Sequence, residues 1–132
     1  MANITTTTND NGSPLLKEGV FQNDVYTAAG AVDLAAGTIL ARNVSTGKLV
    51  DYVIGGTAAV NGTPSAIVTQ AVEVSGAGDV QIRPAIGGQF QLERLVVVAD
   101  GDASNIDAVE KDKLRLYNLT AISVNQMAQA TP

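Results

Sequence analysis

The 132-residue chain has no cysteine, no histidine and no tryptophan. Without cysteine there can be no disulfide, no thiolate nucleophile and no Cys-ligated zinc or iron–sulfur centre. Without histidine the usual general base near neutral pH and the commonest metal ligand are both missing. Aromatic residues make up only 4% of the chain, so the large rings that supply much of the buried area in most cores are scarce. No segment approaches the roughly 18 consecutive apolar residues of a membrane span. The opening MANITTTTNDNG has neither a basic n-region nor an apolar h-region, so it does not read as a secretory signal and the expectation is synthesis in a cytoplasm.

Positive charge is also in short supply. Eight Lys and Arg stand against thirteen Asp and Glu, a net charge of −5. Nucleic-acid affinity rests on cations that neutralise phosphates. The only basic cluster here, Lys111, Lys113 and Arg115, is interleaved with Glu110 and Asp112. Neither nucleic acid nor membrane is expected as a partner, and protein or carbohydrate fits the charge better. Ala, Val, Gly and Thr are abundant instead. A core of such small and β-branched residues adheres weakly per residue, and domains of that kind often gain stability by assembly. The length is that of one domain, able to bury a core unaided.

Residues 1–18 read as a flexible N-terminal arm, polar and rich in turn formers. Its apolar anchors are Ile4, Leu15 and Leu16, and its run Thr5, Thr6, Thr7, Thr8 favours extended structure. It is either a frayed terminus or an arm that orders by adding a strand to a partner's sheet edge. A β-rich domain is expected over 19–126 and a frayed tail over 127–132. Val20, Phe21, Val25 and Tyr26 read as packing residues. Thr38–Asn43 and Lys48–Ile54 read as a hairpin turned by Ser45, Thr46 and Gly47, its second strand covered on both faces. Ser65–Val74 reads as one strand. From Val80 to Leu92 even positions are apolar and odd ones polar, which predicts a half-buried hairpin across a Gly87–Gly88 turn. Leu95–Ala99 reads as a buried run. A short helix is expected over about 104–112, capped by Asp102 or Ser104, with Ile106 and Val109 inward. A longer helix would place Lys113 in its apolar stripe, so a strand is expected from Leu114. The whole predicts a mainly β, compact single domain of short, mostly antiparallel strands, barrel-like, with one short helix.

Chemical motifs are weak. Ser45-Thr46-Gly47-Lys48 lacks the upstream Gly, the following Ser or Thr and the helix of a phosphate-binding loop. The stretch from Asp100 to Asn105 opens like a calcium loop, but Asn105 and Lys111 stand where Gly and Glu are needed. Nothing in the sequence brings a carboxylate pair such as Glu73 and Asp79, or Glu93 and Asp100, to glycosidase spacing. No catalytic residue, metal or cofactor is expected, and the chain is not read as an enzyme.

Three stretches carry a family likeness: GTILARNVSTGKLVDY, then PSAIVTQAVEV followed by VQIRPAIGGQFQLERL, and the ending LTAISV after an acidic turn and a charged helix. In order and spacing, over residues 37–124, they resemble the head-decoration protein (protein D) family of tailed phages, typified by phage lambda. The chain departs from that family in lacking a Trp after the hairpin, in the build of residues 92–103 and in its first 36 residues. The resemblance implies a β-tulip type of fold and no reaction. It also implies homotrimers on the outer surface of the expanded capsid at three-fold positions, in the virion, which cement the head against DNA pressure. The arm, through Ile4, Thr5–Thr8, Leu15 and Leu16, would order against the major capsid protein. The competing expectation is another virion or surface module, such as a tail, fibre or carbohydrate-binding domain.

Overall fold

In a computed structural model, residues 13–16 and 18–123 are described. The protein is mainly β. Among the described residues the strands are β1 (Val20–Phe21), β2 (Asp24–Ala28), β3 (Val32–Leu34), β4 (Ile39–Asn43), β5 (Lys48–Asp51), β6 (Pro64–Ile67), β7 (Val72–Val74), β8 (Gly78–Ile82), β9 (Ala85–Gln91) and β10 (Leu119–Ile122), and one α-helix, α1, spans Ala108–Leu116. Seven strands run β1-β9-β6-β4-β5-β2-β8 across a sheet that curls into a half-barrel, with β10 joined to β9; β3 and β7 form a separate ribbon. Most pairings are antiparallel, but β10 lies parallel to β9 and β2 parallel to β5.

The centre of the sheet is apolar on both faces, so two cores form. Ile39, Ala41, Tyr52, Ile67, Ala85 and Phe90 meet Leu95, Val97, Ile106, Leu114 and Leu119 on one side. Leu40, Leu49 and Ala66 meet Tyr26, Leu34, Val68, Val74 and Ile82 on the other. The alternation of neighbours between cores, Ile39 against Leu40 and Ala66 against Ile67, is the period of two of a strand buried twice. The β4–β5 hairpin takes the expected place, and Gly47 at φ 74° supplies its turn.

Several expectations are corrected. Gly87 and Gly88 make no turn, and β9 runs straight through them while β8 pairs with β2. The chain changes direction at Arg83–Pro84 instead, where Pro cannot donate to a ladder. Gly88 has φ 140°, and this shifts the inward residues from odd positions (Ala85, Gly87) to even (Phe90). The run Ser65–Val74 is two strands, because β6 joins the main sheet and β7 joins β3. Of Leu95–Ala99, Leu95 and Val97 are buried but Val98 and Ala99 are exposed. Val20, Phe21 and Val109 lie on the surface, not in the core.

The helix starts later and ends later than expected. Its N-cap is Asp107, whose side chain accepts from the Glu110 N–H. It includes Leu114 and Leu116, which had been placed in a strand, and Asn118 at φ 70° then turns the chain into β10. Lys113 had argued against this helix. Its stem is half-buried and its Nζ lies 5.5 Å from the centre of the Tyr52 ring, a cation–π contact that lets a lysine occupy an apolar stripe.

Candidate interaction surface

Strand β9 organises the surface that the sequence pointed to. On one side the first described residues run antiparallel to it: the Leu16 N–H donates to the Gln89 carbonyl (2.9 Å), and the Gln91 N–H donates to the Pro14 carbonyl (2.7 Å). Leu15 stands opposite Phe90 and packs against the core behind it. After Leu16 the same edge continues as β1, Val20 opposite Gly87 and Phe21 opposite Ala85. On the other side of β9, β10 runs parallel, from Leu119 opposite Gly88 to Ile122 opposite Gln91. Alternate β9 residues serve the two sides, since the Gly88 N–H donates to Asn118 while that of Gln91 turns to Pro14.

One consequence is geometric. Pro14 and Ile122 flank Gln91, so the chain enters and leaves the domain at the same end of β9, two strand spacings apart, about 10 Å. The twelve residues before Ser13 and the nine after Ser123 carry one charged side chain, Asp10. Of the predicted arm residues, Leu15 and Leu16 lie on β9, whereas Ile4, Thr5, Thr6, Thr7 and Thr8 lie outside the described residues. Within residues 19–36, β1 and β2 lie in the sheet and β3 in the ribbon.

The edge is partly apolar. Val20 is 60% and Phe21 37% exposed. Beside Phe21 is a depression of about 370 Å³ lined by Ser13, Leu15, Thr69, Gln70 and Arg83. A second, of about 510 Å³, lies over the side-chain-free stretch Gly87–Gly88, between Val20 and the Arg115, Asn118 and Thr120 side chains. Sequence reasoning had assigned Val20 and Phe21 to the core. Their position between Gly19 and the polar Gln22-Asn23 is the signal that could have marked a short exposed edge.

Two ion pairs lie across the sheet, Arg42 with Asp24 and Lys48 with Asp79. Arg42 forks onto both carboxylate oxygens of Asp24 (2.7 and 2.6 Å) and also donates to the Gly47 carbonyl. The guanidinium hydrogen bond holds the Asp24 carboxyl below the ordinary range, against the opposing effect of burial. Lys48 and Thr27 both donate to Asp79, a row across β5, β2 and β8, and these bonds lower the Asp79 carboxyl. The buried Tyr26 hydroxyl donates to Asp51 (2.8 Å), and burial, then that bond, raises its pKa. Tyr52 does the same with Glu110 between sheet and helix. In the Asp100–Asn105 loop, the Asp102 carboxylate accepts from the Ser104 N–H (2.9 Å), a polar turn just before the helix. In the turn at Ser45–Gly47, Asn43 Oδ1 accepts from the Ser45 and Thr46 N–H groups.

Among the described residues no three carboxylates gather as a metal site, and no helix is long and apolar enough to cross a membrane. No protein-family model matches the chain, and no curated protein is significantly similar to it.

Proposed function

We propose that the protein is a structural virion component that binds the outer surface of an expanded phage capsid and cements it. Trimers would sit at three-fold positions, with the N-terminal arm, Ile4 and Thr5–Thr8 foremost, extended along the major capsid protein. The observation that carries this reading is the common exit of both tails beside Gln91. A folded domain with two nearly uncharged segments leaving one end is suited to lie with that end against a larger surface. Pro14–Leu16 lie antiparallel to β9, and β-augmentation by the arm would carry that course on to a partner's sheet edge. Ordering the rest costs entropy at binding, which makes attachment depend on the exposed capsid edge. Many copies acting together allow each contact to be modest. The net charge of −5 disfavours contact with packaged DNA and suits the outside of the shell.

The test is co-sedimentation of the purified chain with expanded, undecorated heads of its cognate phage, beside unexpanded proheads. The expected result is saturable binding to expanded heads alone, three copies per local three-fold. A chain lacking residues 1–12 should stay folded and lose this binding. Binding to neither shell would overturn the reading; undiminished binding of the shortened chain would overturn the arm's part in it.

A further inference from the structure

The depression beside Phe21, lined by Ser13, Leu15, Thr69, Gln70 and Arg83, holds two polar groups that the described fold leaves open. Thr69 is buried, 7% exposed, yet its hydroxyl makes no hydrogen bond among the described residues. A buried hydroxyl without a partner is uncommon, because it has given up water for nothing. Arg83 spends one donor, Nη1, on Asn23 Oδ1 (3.0 Å) and forms no ion pair among the described residues. Its remaining donors belong to a planar fork that matches a carboxylate. The depression therefore lacks an acceptor that carries negative charge. Ser13 is one of its walls and also the point where the chain enters it. The residues just before are Asp10, Asn11 and Gly12, and Asp10 is the one charged side chain among the twelve that precede Ser13. Asn-Gly is a favoured centre for a tight turn. A turn over residues 10–13 brings its end Cα atoms within about 7 Å of each other, which returns Asp10 to the depression that Ser13 borders.

We infer that this depression is the docking site for Asp10 of the same chain. The Asp10 carboxylate lies on the Arg83 guanidinium and accepts from the Thr69 hydroxyl. The chain turns back at Asn11 and Gly12, and residues 1–9 leave from the Arg83 side of the depression. The occupant is chosen by charge and by reach: an acid three residues from the wall, opposite a cation with no acid of its own. Arg83 is exposed and the depression is open to water, so the pair is weak and screened by salt. It fixes where the first nine residues start without adding measurably to the melting temperature. The inference does not depend on shell binding.

The experiment is NMR on the full chain at low salt. The Asp10 side-chain carboxyl is followed through a pH titration. Its midpoint should lie below the reference value of about 3.9 by about 0.3 unit, the size expected of an exposed pair. Arg83→Gln should return the midpoint to the reference, and Arg83→Lys, which keeps the charge, should retain part of the shift. In the reverse direction, Asp10→Asn should move the amide signals of Thr69, Gln70 and Arg83 and leave those of the β4–β5 hairpin in place. This variant lies before the described fold, so it reports even if an Arg83 variant folds poorly. All shifts should be independent of protein concentration. Asp10 titrating at the reference value, a lowered midpoint unmoved by Arg83→Gln, or Thr69 and Gln70 signals indifferent to Asp10→Asn would each overturn the proposal. So would shifts that grow with concentration, which would place a second copy's Asp10 in the depression. Loss of shell binding with these signals intact would count only against the capsid reading.

Discussion

An alanine at Gly88 would place its methyl 3.2 Å from the Gly19 Cα and 3.3 Å from Leu15, on a backbone at φ 140° that L residues rarely adopt. At the neighbouring Gly87 the nearest atoms would be 3.7 Å away, at ordinary van der Waals distance. Gly88→Ala should therefore destabilise by about 1–3 kcal/mol and Gly87→Ala by clearly less, measured by urea unfolding of both. A reversed order would mean that β9 does not run through this pair. A second residue-level test concerns Tyr52, wholly buried and donating to the buried Glu110. Tyr52→Phe leaves that carboxylate without its donor, and a loss of about 1–3 kcal/mol is expected. Glu110→Gln, which keeps an acceptor for the hydroxyl, should be milder. None of this is readable from residue types: Gly-Gly signals a turn, and an acid in a charged helix signals solvent. Only the packing of Leu15 and Gly19 over β9, and of α1 over Tyr52, assigns these residues their roles.

Among elements, the Asp24–Arg42 fork ties the start of β2 to the β4–β5 hairpin. The Asp24 carboxyl is depressed in the fold, while in the unfolded chain it titrates near its reference value of about 3.9. Its contribution is fully present above that value and disappears as pH falls from about 4 through the lower folded pKa. Arg42→Ala should lower stability at pH 7 by about 1–3 kcal/mol, as for hydrogen bonds to a charged group. The variant should also lose less than wild type between pH 5 and 2, as followed by thermal melts. An equal acid loss in both would show that the pair is not what Asp24 senses. The hairpin itself was legible because Asn43, Gly47 and alternating strands agree locally. The helix was legible in existence but not in limits. Ile106 was correctly inward, yet the rejected residue, Lys113, is accommodated by an aromatic ring 58 positions from Glu110's own place in the helix only through the tertiary pairing of Tyr52 with α1.

For the whole molecule, the arm divides into two parts with different consequences. Removing residues 1–12 takes away nothing that the described fold uses, and the melting temperature should stay within about 2 °C. Removing residues 1–16 also deletes the Pro14–Leu16 pairing and the Leu15 contact with the core. A further loss of about 2–4 kcal/mol is expected, chiefly from the buried leucine. Equal stability of the two shortened chains would place Leu15 outside the folding unit.

Composition and period by themselves determined that the protein is a β-rich single domain without cysteine or histidine chemistry. Both follow from side-chain type and spacing, which need no neighbour to interpret. The β4–β5 hairpin belongs with them, since its turn and its two strands lie within one short stretch. The tertiary structure alone decided that Gly87–Gly88 lies mid-strand, that β6 and β7 part company, and that Val20, Val109 and Leu116 face outward. It also decided that both tails leave beside Gln91. These depend on which strand lies next to β9, and strand neighbours are chosen by burial across long separations of sequence, which local pattern does not contain.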